Sequence, residues 1–130
     1  MYLERDLTTK MRLNILNRMV QYLAELDRAF GALSDPTRRG ILQQLGRADA
    51  SISDLAGHFE MTLTGVKKHV KVLEDAGLVT TQKVGRVRSC KLGPQRLEDE
   101  AAWIETYREM MEDRLNRLGE FLERRKGRKP

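Results

Sequence analysis

One short stretch of the chain carries cationic and hydroxyl side chains at a spacing that suits a polyanion. Between positions 62 and 71, four such residues fall within about a third of the circumference of an α-helix, at roughly 100° per residue: Thr64, Lys67, Lys68 and Lys71. Ammonium groups neutralise phosphates and displace counterions, while threonine hydroxyls can reach base edges. The pattern predicts nucleic-acid binding, although a solvated basic face on an ordinary bundle helix has the same composition.

The residues around this face have the pattern of a helix-turn-helix. Residues 52–59 place apolar side chains at i, i+3, i+4 and i+7, which predicts a short amphipathic helix. Ser51 and Asp54 fit a capping box at its start. Thr62 suits the N-cap of a second helix, and Gly77 suits the position just after its end. In DNA-binding proteins of this kind the second helix enters the major groove by its N-terminal half.

The periodicity then changes to that of β-strands. Residues 78–84 and 87–92 are rich in β-branched side chains and flank the pair Gly85 and Arg86, which predicts a β-hairpin with a short turn. A basic hairpin directly after a recognition helix is a wing. Arg86 at its tip, with Arg88 on its second strand, is predicted to contact a phosphate or the minor groove.

Two long helices with heptad-like seams are predicted on either side of this core. The first runs from Met11 to about Leu33, after a weakly periodic segment at 1–10 that may lack order, and the second from Leu97 to about Arg124. Helices this long are too exposed on a small domain unless something covers them, so we expect each to pack partly on the body of the domain and partly on a second subunit. The residues predicted to form that dimer interface are Leu16, Met19, Leu23, Trp103, Ile104, Tyr107, Met111, Leu115, Leu118 and Leu122.

Two alternatives stay open for these helices. The first helix can fold entirely onto its own chain instead of a partner. The second helix carries another stripe beside its seam, which could line a ligand pocket instead of a packing surface; it consists of Trp103, Tyr107, Met110 and Phe121.

Composition narrows the class of protein. The chain has 130 residues, a net charge of +5 and a pI of about 9.6, which favours one domain and a polyanionic partner. Its single cysteine, Cys90, excludes an intrachain disulfide, favours a reducing compartment and is expected to be a buried, inert thiol. No apolar run has the length of a membrane span and the N-terminus lacks a secretory pattern, so we expect a cytoplasmic protein with no membrane partner.

Four segments resemble a known family: 33–42 (LSDPTRRGIL), 52–59 (ISDLAGHF), 66–79 (VKKHVKVLEDAGLV) and 84–92 (VGRVRSCKL). They resemble the arsenical-resistance-repressor (ArsR/SmtB) family of bacterial winged-helix repressors. The resemblance implies a mainly α fold with a small β-hairpin wing, a winged helix-turn-helix with long N- and C-terminal dimerisation helices. It also implies a homodimer that binds double-stranded DNA at a palindromic operator near its own promoter.

The resemblance divides the chain into three regions. Residues 1–33 form an N-terminal tail and dimerisation helix, 34–93 the winged DNA-binding core, and 94–130 a C-terminal dimerisation helix with a basic tail. Within the core, Thr62 and the free N–H groups beside it are expected to hold a phosphate. Leu63 stands where the family often has a polar residue, and contact with a thymine methyl is expected.

The metal-sensing motifs of the family are missing. Its metal sensors typically carry Cys-x-Cys on the first helix of the helix-turn-helix, and the matching positions 50–55 contain no cysteine. Others use Asp, His and Glu on the C-terminal helix, where residues 97–125 contain no histidine. No metal and no other cofactor is therefore expected. His69 matches a family position beside the lysine face, where packing or a phosphate hydrogen bond is predicted.

The sequence thus predicts a sequence-specific DNA-binding transcriptional regulator, a homodimeric repressor of its own or a neighbouring operon. The alternative is a winged-helix module that binds another protein and no DNA. An enzyme is not expected, because the chain has no phosphate-binding glycine loop, no convincing nucleophile–base pair and no metal cluster.

Overall fold

The computed structural model describes the backbone of residues 2–127 and the side chains of residues 6–127. Two compact units meet in sequence between Arg96 and Leu97. The predicted mainly α fold with a small wing is confirmed, with one additional short strand. In chain order the elements are α1 (Tyr2–Leu33), α2 (Pro36–Arg47), β1 (Ala50–Ser51), α3 (Ile52–Phe59), α4 (Leu63–Asp75), β2 (Val79–Val84), β3 (Val87–Leu92) and α5 (Glu98–Lys126).

Helix α1 is longer than predicted, because it begins at Tyr2 and not at Met11. Its 32 residues span about 48 Å at 1.5 Å per residue. Only its last two turns are buried, through Leu26, Ala29 and Ala32. The apolar side chains of α1 between residues 6 and 23 are exposed.

Helices α2, α3 and α4 form the helix-turn-helix around a small aliphatic core. Asp35 caps α2 by accepting the Arg38 backbone N–H at 3.0 Å, and a proline follows at the first helical position, where its missing N–H costs nothing. Each fully buried aliphatic side chain stabilises such a core by about 1.5–3 kcal/mol. The largest fully buried side chains are Ile41, Leu55, Leu73, Val66, Val79 and Cys90.

The predicted capping box of α3 is present with both of its hydrogen bonds. Ser51 Oγ accepts the Asp54 N–H at 3.0 Å, and Asp54 Oδ2 accepts the Ser51 N–H at 3.2 Å. At the other end of α3, the Phe59 ring lies against α2, where a Cβ on Gly40 would stand 2.9 Å from Phe59 Cε1. A larger residue at position 40 would force the Phe59 ring to shift.

The sheet has three antiparallel strands in the order β1-β3-β2. The predicted hairpin is confirmed: Val84 pairs with Val87 across a two-residue turn in which Gly85 adopts φ +64°. Strand β1 was not predicted; it pairs Ala50 with Cys90 of β3. Cys90 is fully buried, as expected.

Helix α5 is a 29-residue helix whose side chains are exposed from residue 101 to residue 127. Its first turn is acidic and its last turn is basic. The side-chain charge at each end is therefore opposite in sign to the helix dipole at that end, which stabilises the helix. Trp103 stacks on Tyr107 with ring centroids 5.9 Å apart. Over the described part of the chain, none of the helices combines the length and the apolar character that crossing a membrane requires.

Candidate nucleic-acid interface

Helix α4 separates a buried face from a cationic one, as predicted. Val66, Val70 and Leu73 are buried against the rest of the helix-turn-helix. Thr64 and the three lysines of the opposite face are exposed. Among the described residues, the ammonium groups of Lys67, Lys68 and Lys71 form no hydrogen bond or ion pair, so they are available to a partner.

The start of α4 combines a side-chain cap with free backbone donors. Thr62 has extended backbone angles, and its Oγ1 accepts the Gly65 N–H at 3.1 Å. A Cβ on Gly65 would lie 3.2 Å from Thr62 Oγ1 and from Met61 Cε, so a larger residue would crowd the cap. The hydroxyl hydrogen of Thr62 stays free to donate, and the first N–H groups of a helix have no partner within it. A phosphate oxygen fits such a group of donors.

A cleft of about 550 Å³ separates the start of α4 from the wing. Lys67 of α4 lies on one side, and Lys83, Arg86 and Arg88 of the hairpin lie on the other, so four cationic side chains line one groove. The complete lining is Ser51, Ile52, Ser53, Leu63, Lys67, Lys83, Arg86, Val87 and Arg88. No carboxylate belongs to this lining, and Coulomb repulsion among its cations favours a polyanion in the groove.

The register of the wing places two cations directly opposite one another. Lys83 of β2 pairs with Arg88 of β3, one step in from the turn. Like charges in such a cross-strand pair destabilise a hairpin by a few tenths of a kcal/mol. Lys83 was not among the predicted site residues, yet the sequence contains the signal: a two-residue turn at Gly85 and Arg86 dictates that 83 faces 88.

The wing is fixed to the recognition helix by a hydrogen bond. Thr81 Oγ1 of β2 donates to Glu74 Oε2 in the last turn of α4, at 2.6 Å. Cys90, on the same face of the hairpin, is buried, and burial raises the pKa of its thiol above the ordinary value. This bond and the buried base of the hairpin hold the cations near the tip beside α4.

The structure does not bring every predicted residue into the cleft. Leu63 lies in it and is 49% exposed, whereas Thr64, Lys68 and Lys71 lie on the exposed face of α4 outside the cleft lining. His69 is half-buried, with its Nδ1 3.3 Å from Arg38 Nη1 and 3.8 Å from Asp35 Oδ2. Contact of any of these residues with DNA stays a prediction.

Metal ligands do not gather anywhere among the side chains of residues 6–127. No group of three or more His, Cys, Asp and Glu side chains in that range stands close enough together to hold an ion.

Comparison with known proteins assigns the fold to a class of regulators. A family model described as a helix-turn-helix domain matches residues 33–82. The transcriptional repressor SdpR of Bacillus subtilis is 30% identical over 79 residues, which cover 61% of this chain and 88% of that protein. An ArsR-like transcriptional regulator from Rhodococcus sp. RHA1 superposes with a TM-score of 0.67 at 36% identity, covering 80% of this chain and 95% of that one.

A third similarity concerns the fold alone. The homodimeric winged helix-turn-helix DNA-binding domain of a Mycobacterium bovis protein superposes with a TM-score of 0.57 at 22% identity, covering 77% of this chain and 90% of that one. SdpR matches this chain in sequence over 88% of its own length, and the Rhodococcus regulator matches in both sequence and fold over 95% of its length. The chain therefore belongs to the ArsR family of winged helix-turn-helix proteins, DNA-binding transcriptional regulators that are not enzymes.

Proposed function

We propose that this regulator is a homodimeric repressor that binds a palindromic operator at its own promoter or that of a neighbouring operon. The cleft between α4 and the wing is the observation that carries the proposal. Four cations line it without a carboxylate, two of them held opposite each other at a cost in stability. A phosphate backbone beside the wing would attract both cations and so offset the repulsion between them.

Docking follows from the two faces of α4. With the helix in the major groove, Thr64, Lys67 and Lys68 face the bases and backbone, and Lys71 lies further along the same face. Thr62 and the free N–H groups beside it would hold a phosphate. Leu63 would meet a thymine methyl, while Arg86 and Arg88 of the wing would contact the adjacent backbone.

Exposed apolar seams support a dimer. Leu16, Met19 and Leu23 of α1 are 52–58% exposed in the chain by itself. On α5 the exposed set comprises Trp103, Ile104, Tyr107, Met111, Leu115, Leu118 and Leu122. Apolar surface of this extent usually marks a protein interface, and a second copy related by two-fold symmetry would cover equivalent seams at once.

In this proposal the regions 1–33 and 94–130 dimerise, and 34–93 binds DNA. Two copies of α4 would then enter successive major grooves about 34 Å apart. Occupying a promoter excludes polymerase, so repression in the cytoplasm, where a bacterial promoter lies, is the expected output.

Selection from a pool of randomised duplexes tests the proposal directly. We expect enrichment of an inverted repeat whose half-sites are centred about one helical turn apart, 10–10.5 base pairs. The enriched duplex and the region upstream of the gene should then shift equally with and without added metal ions. Enrichment of no sequence, together with no salt-dependent affinity for any duplex, would favour the protein-interaction module instead.

The dimer is tested by the variant Leu115→Asp, because Leu115 is 61% exposed on the seam of α5. A carboxylate buried between two apolar helices without a partner is strongly disfavoured, so sedimentation should show monomers. Asn116→Asp introduces the same group one position further along α5, off the seam, and should leave the dimer intact. A dimer that survives Leu115→Asp would remove this seam from the interface.

A further inference from the structure

One arginine connects the end of α1 to the recognition helix. Arg38, in the first turn of α2, donates from Nε to the Ala32 carbonyl at 2.9 Å and from Nη2 to the Gly31 carbonyl at 3.0 Å. These carbonyls lie in the last turn of α1, where backbone acceptors have no partner within the helix and carry partial negative charge. The remaining nitrogen, Nη1, lies 3.3 Å from His69 Nδ1 in α4.

This contact is a hydrogen bond only for one form of the imidazole. A guanidinium only donates, so Nδ1 accepts from Arg38 when the imidazole is neutral and carries its hydrogen on Nε2. A protonated imidazole offers no acceptor to Arg38 and repels its charge. The new Nδ1–H would instead face Asp35 Oδ2, which lies 3.8 Å away.

Asp35 stays ionised throughout the range in which a histidine titrates. The backbone N–H of Arg38 donates to its carboxylate at 3.0 Å, which is the main reason that the pKa of Asp35 lies below the ordinary value. Arg38 and Asp35 are the charged groups that contact the imidazole within the described residues, and on α4 itself Lys68 precedes it on the exposed face. Protonation therefore exchanges one partner for the other: α4 loses its hydrogen bond to Arg38, and with it the connection through that side chain to the last carbonyls of α1.

We infer that Arg38 and His69 are positioning residues, a proton-sensitive link that sets the orientation of the recognition helix relative to α1. The inference rests on the proposed function, in which α1 contributes to the dimer and α4 enters the groove. The angle between α1 and α4 then helps to fix the separation of the two α4 helices, which must match one turn of DNA. Neither residue needs to touch the duplex to control its binding.

The direction of the pH dependence distinguishes this role from a direct contact. A histidine that contacted a phosphate would bind more tightly once protonated, so acid would raise the affinity. Loss of the link predicts the opposite: operator affinity should fall by about tenfold, the effect of one lost hydrogen bond, when the pH is lowered from about 8 to about 5.5.

The experiment is fluorescence anisotropy of the full chain on the duplex enriched in the selection described above, at fixed salt across that pH range. We expect His69→Gln to abolish the acid-induced loss. His58, the other histidine of the sequence, is exposed on α3, so His58→Gln is the matched control and should keep the wild-type profile. A profile that His69→Gln leaves unchanged, or an affinity that rises in acid through His69, would overturn the inference.

Arg38→Gln gives a second, independent measurement. If Arg38 positions α4, operator affinity should fall while the slope of log K against log salt stays the same, because no phosphate contact is lost. A slope smaller by about 1.8 in the dimer would identify Arg38 as a phosphate contact and refute the positioning role. Should the wild-type chain bind no duplex at any pH, the proposed function fails, whereas duplex binding without His69-dependent pH sensitivity refutes only the link.

Discussion

Replacing Arg88 by Thr should stabilise the protein and weaken its binding to DNA. Arg88 stands directly opposite Lys83 near the tip of the wing, where both side chains are exposed. Removing one of two like charges from a cross-strand pair relieves repulsion, and threonine suits an exposed strand position. Since solvent screens exposed charges, we expect the free energy of unfolding to rise by only about 0.2–0.5 kcal/mol.

The effect on DNA binding has the opposite sign and is larger. Arg88 lines the cleft beside α4, and its loss removes one phosphate contact per protomer if the proposed docking is right. Two contacts per dimer, at about 0.9 each, flatten the slope of log K against log salt by about 1.8. A fourfold increase in salt should then weaken the wild type about twelvefold more than the variant.

Two measurements on the same samples test these predictions. Urea denaturation gives the free energy of unfolding, and anisotropy titrations at several salt concentrations give the salt dependence of DNA binding. Lys91→Thr is the control, because Lys91 is an exposed cation of the same strand on the opposite face and lies opposite Thr80. It removes one charge without touching the cleft and should leave the slope unchanged. The reasoning is refuted if Arg88→Thr lowers stability, or if its salt slope equals that of the wild type.

Three further predictions concern α4, α3 and the buried thiol. Lys67→Ala should flatten the same salt slope by about 1.8 in anisotropy titrations, and an unchanged slope would remove Lys67 from the phosphate contacts. Ser51→Ala deletes the cap of α3 and should lower the free energy of unfolding by about 1 kcal/mol in urea, whereas Ser53→Ala, at an exposed position of the same turn, should change it little. Cys90 should resist alkylation at neutral pH in the native protein and react fully in denaturant, because burial raises its pKa; rapid native labelling would contradict its placement in the core.

Local signals explain why most elements were predicted correctly. A capping box depends on residues three positions apart, so Ser51 and Asp54 indicate the start of α3 without any tertiary contact. Gly77 and Gly85 both adopt positive φ, at the end of α4 and in the turn of the hairpin. Where such a signal was missing, as at the N-terminal end of α1, the predicted boundary was wrong.

Strand β1 shows what a local signal cannot provide. A segment of two residues is too short to show any periodicity. Ala50 and Ser51 form a strand only because they pair with the edge of β3. The link between His69, Asp35 and Arg38 has the same character. His69 of α4 lies 31 and 34 positions from Arg38 and Asp35 at the start of α2, and no spacing in the sequence predicts that they meet.

The sequence by itself determined the order of the helices and the hairpin, the cationic face of α4 and the pairing of Lys83 with Arg88, because periodicity, caps and turn length act over a few neighbouring residues. The tertiary structure alone decided that Lys67 shares a groove with the wing and that His69 turns away from it towards Arg38. Such contacts depend on how separate helices and strands pack against one another, and packing is a property of the whole fold.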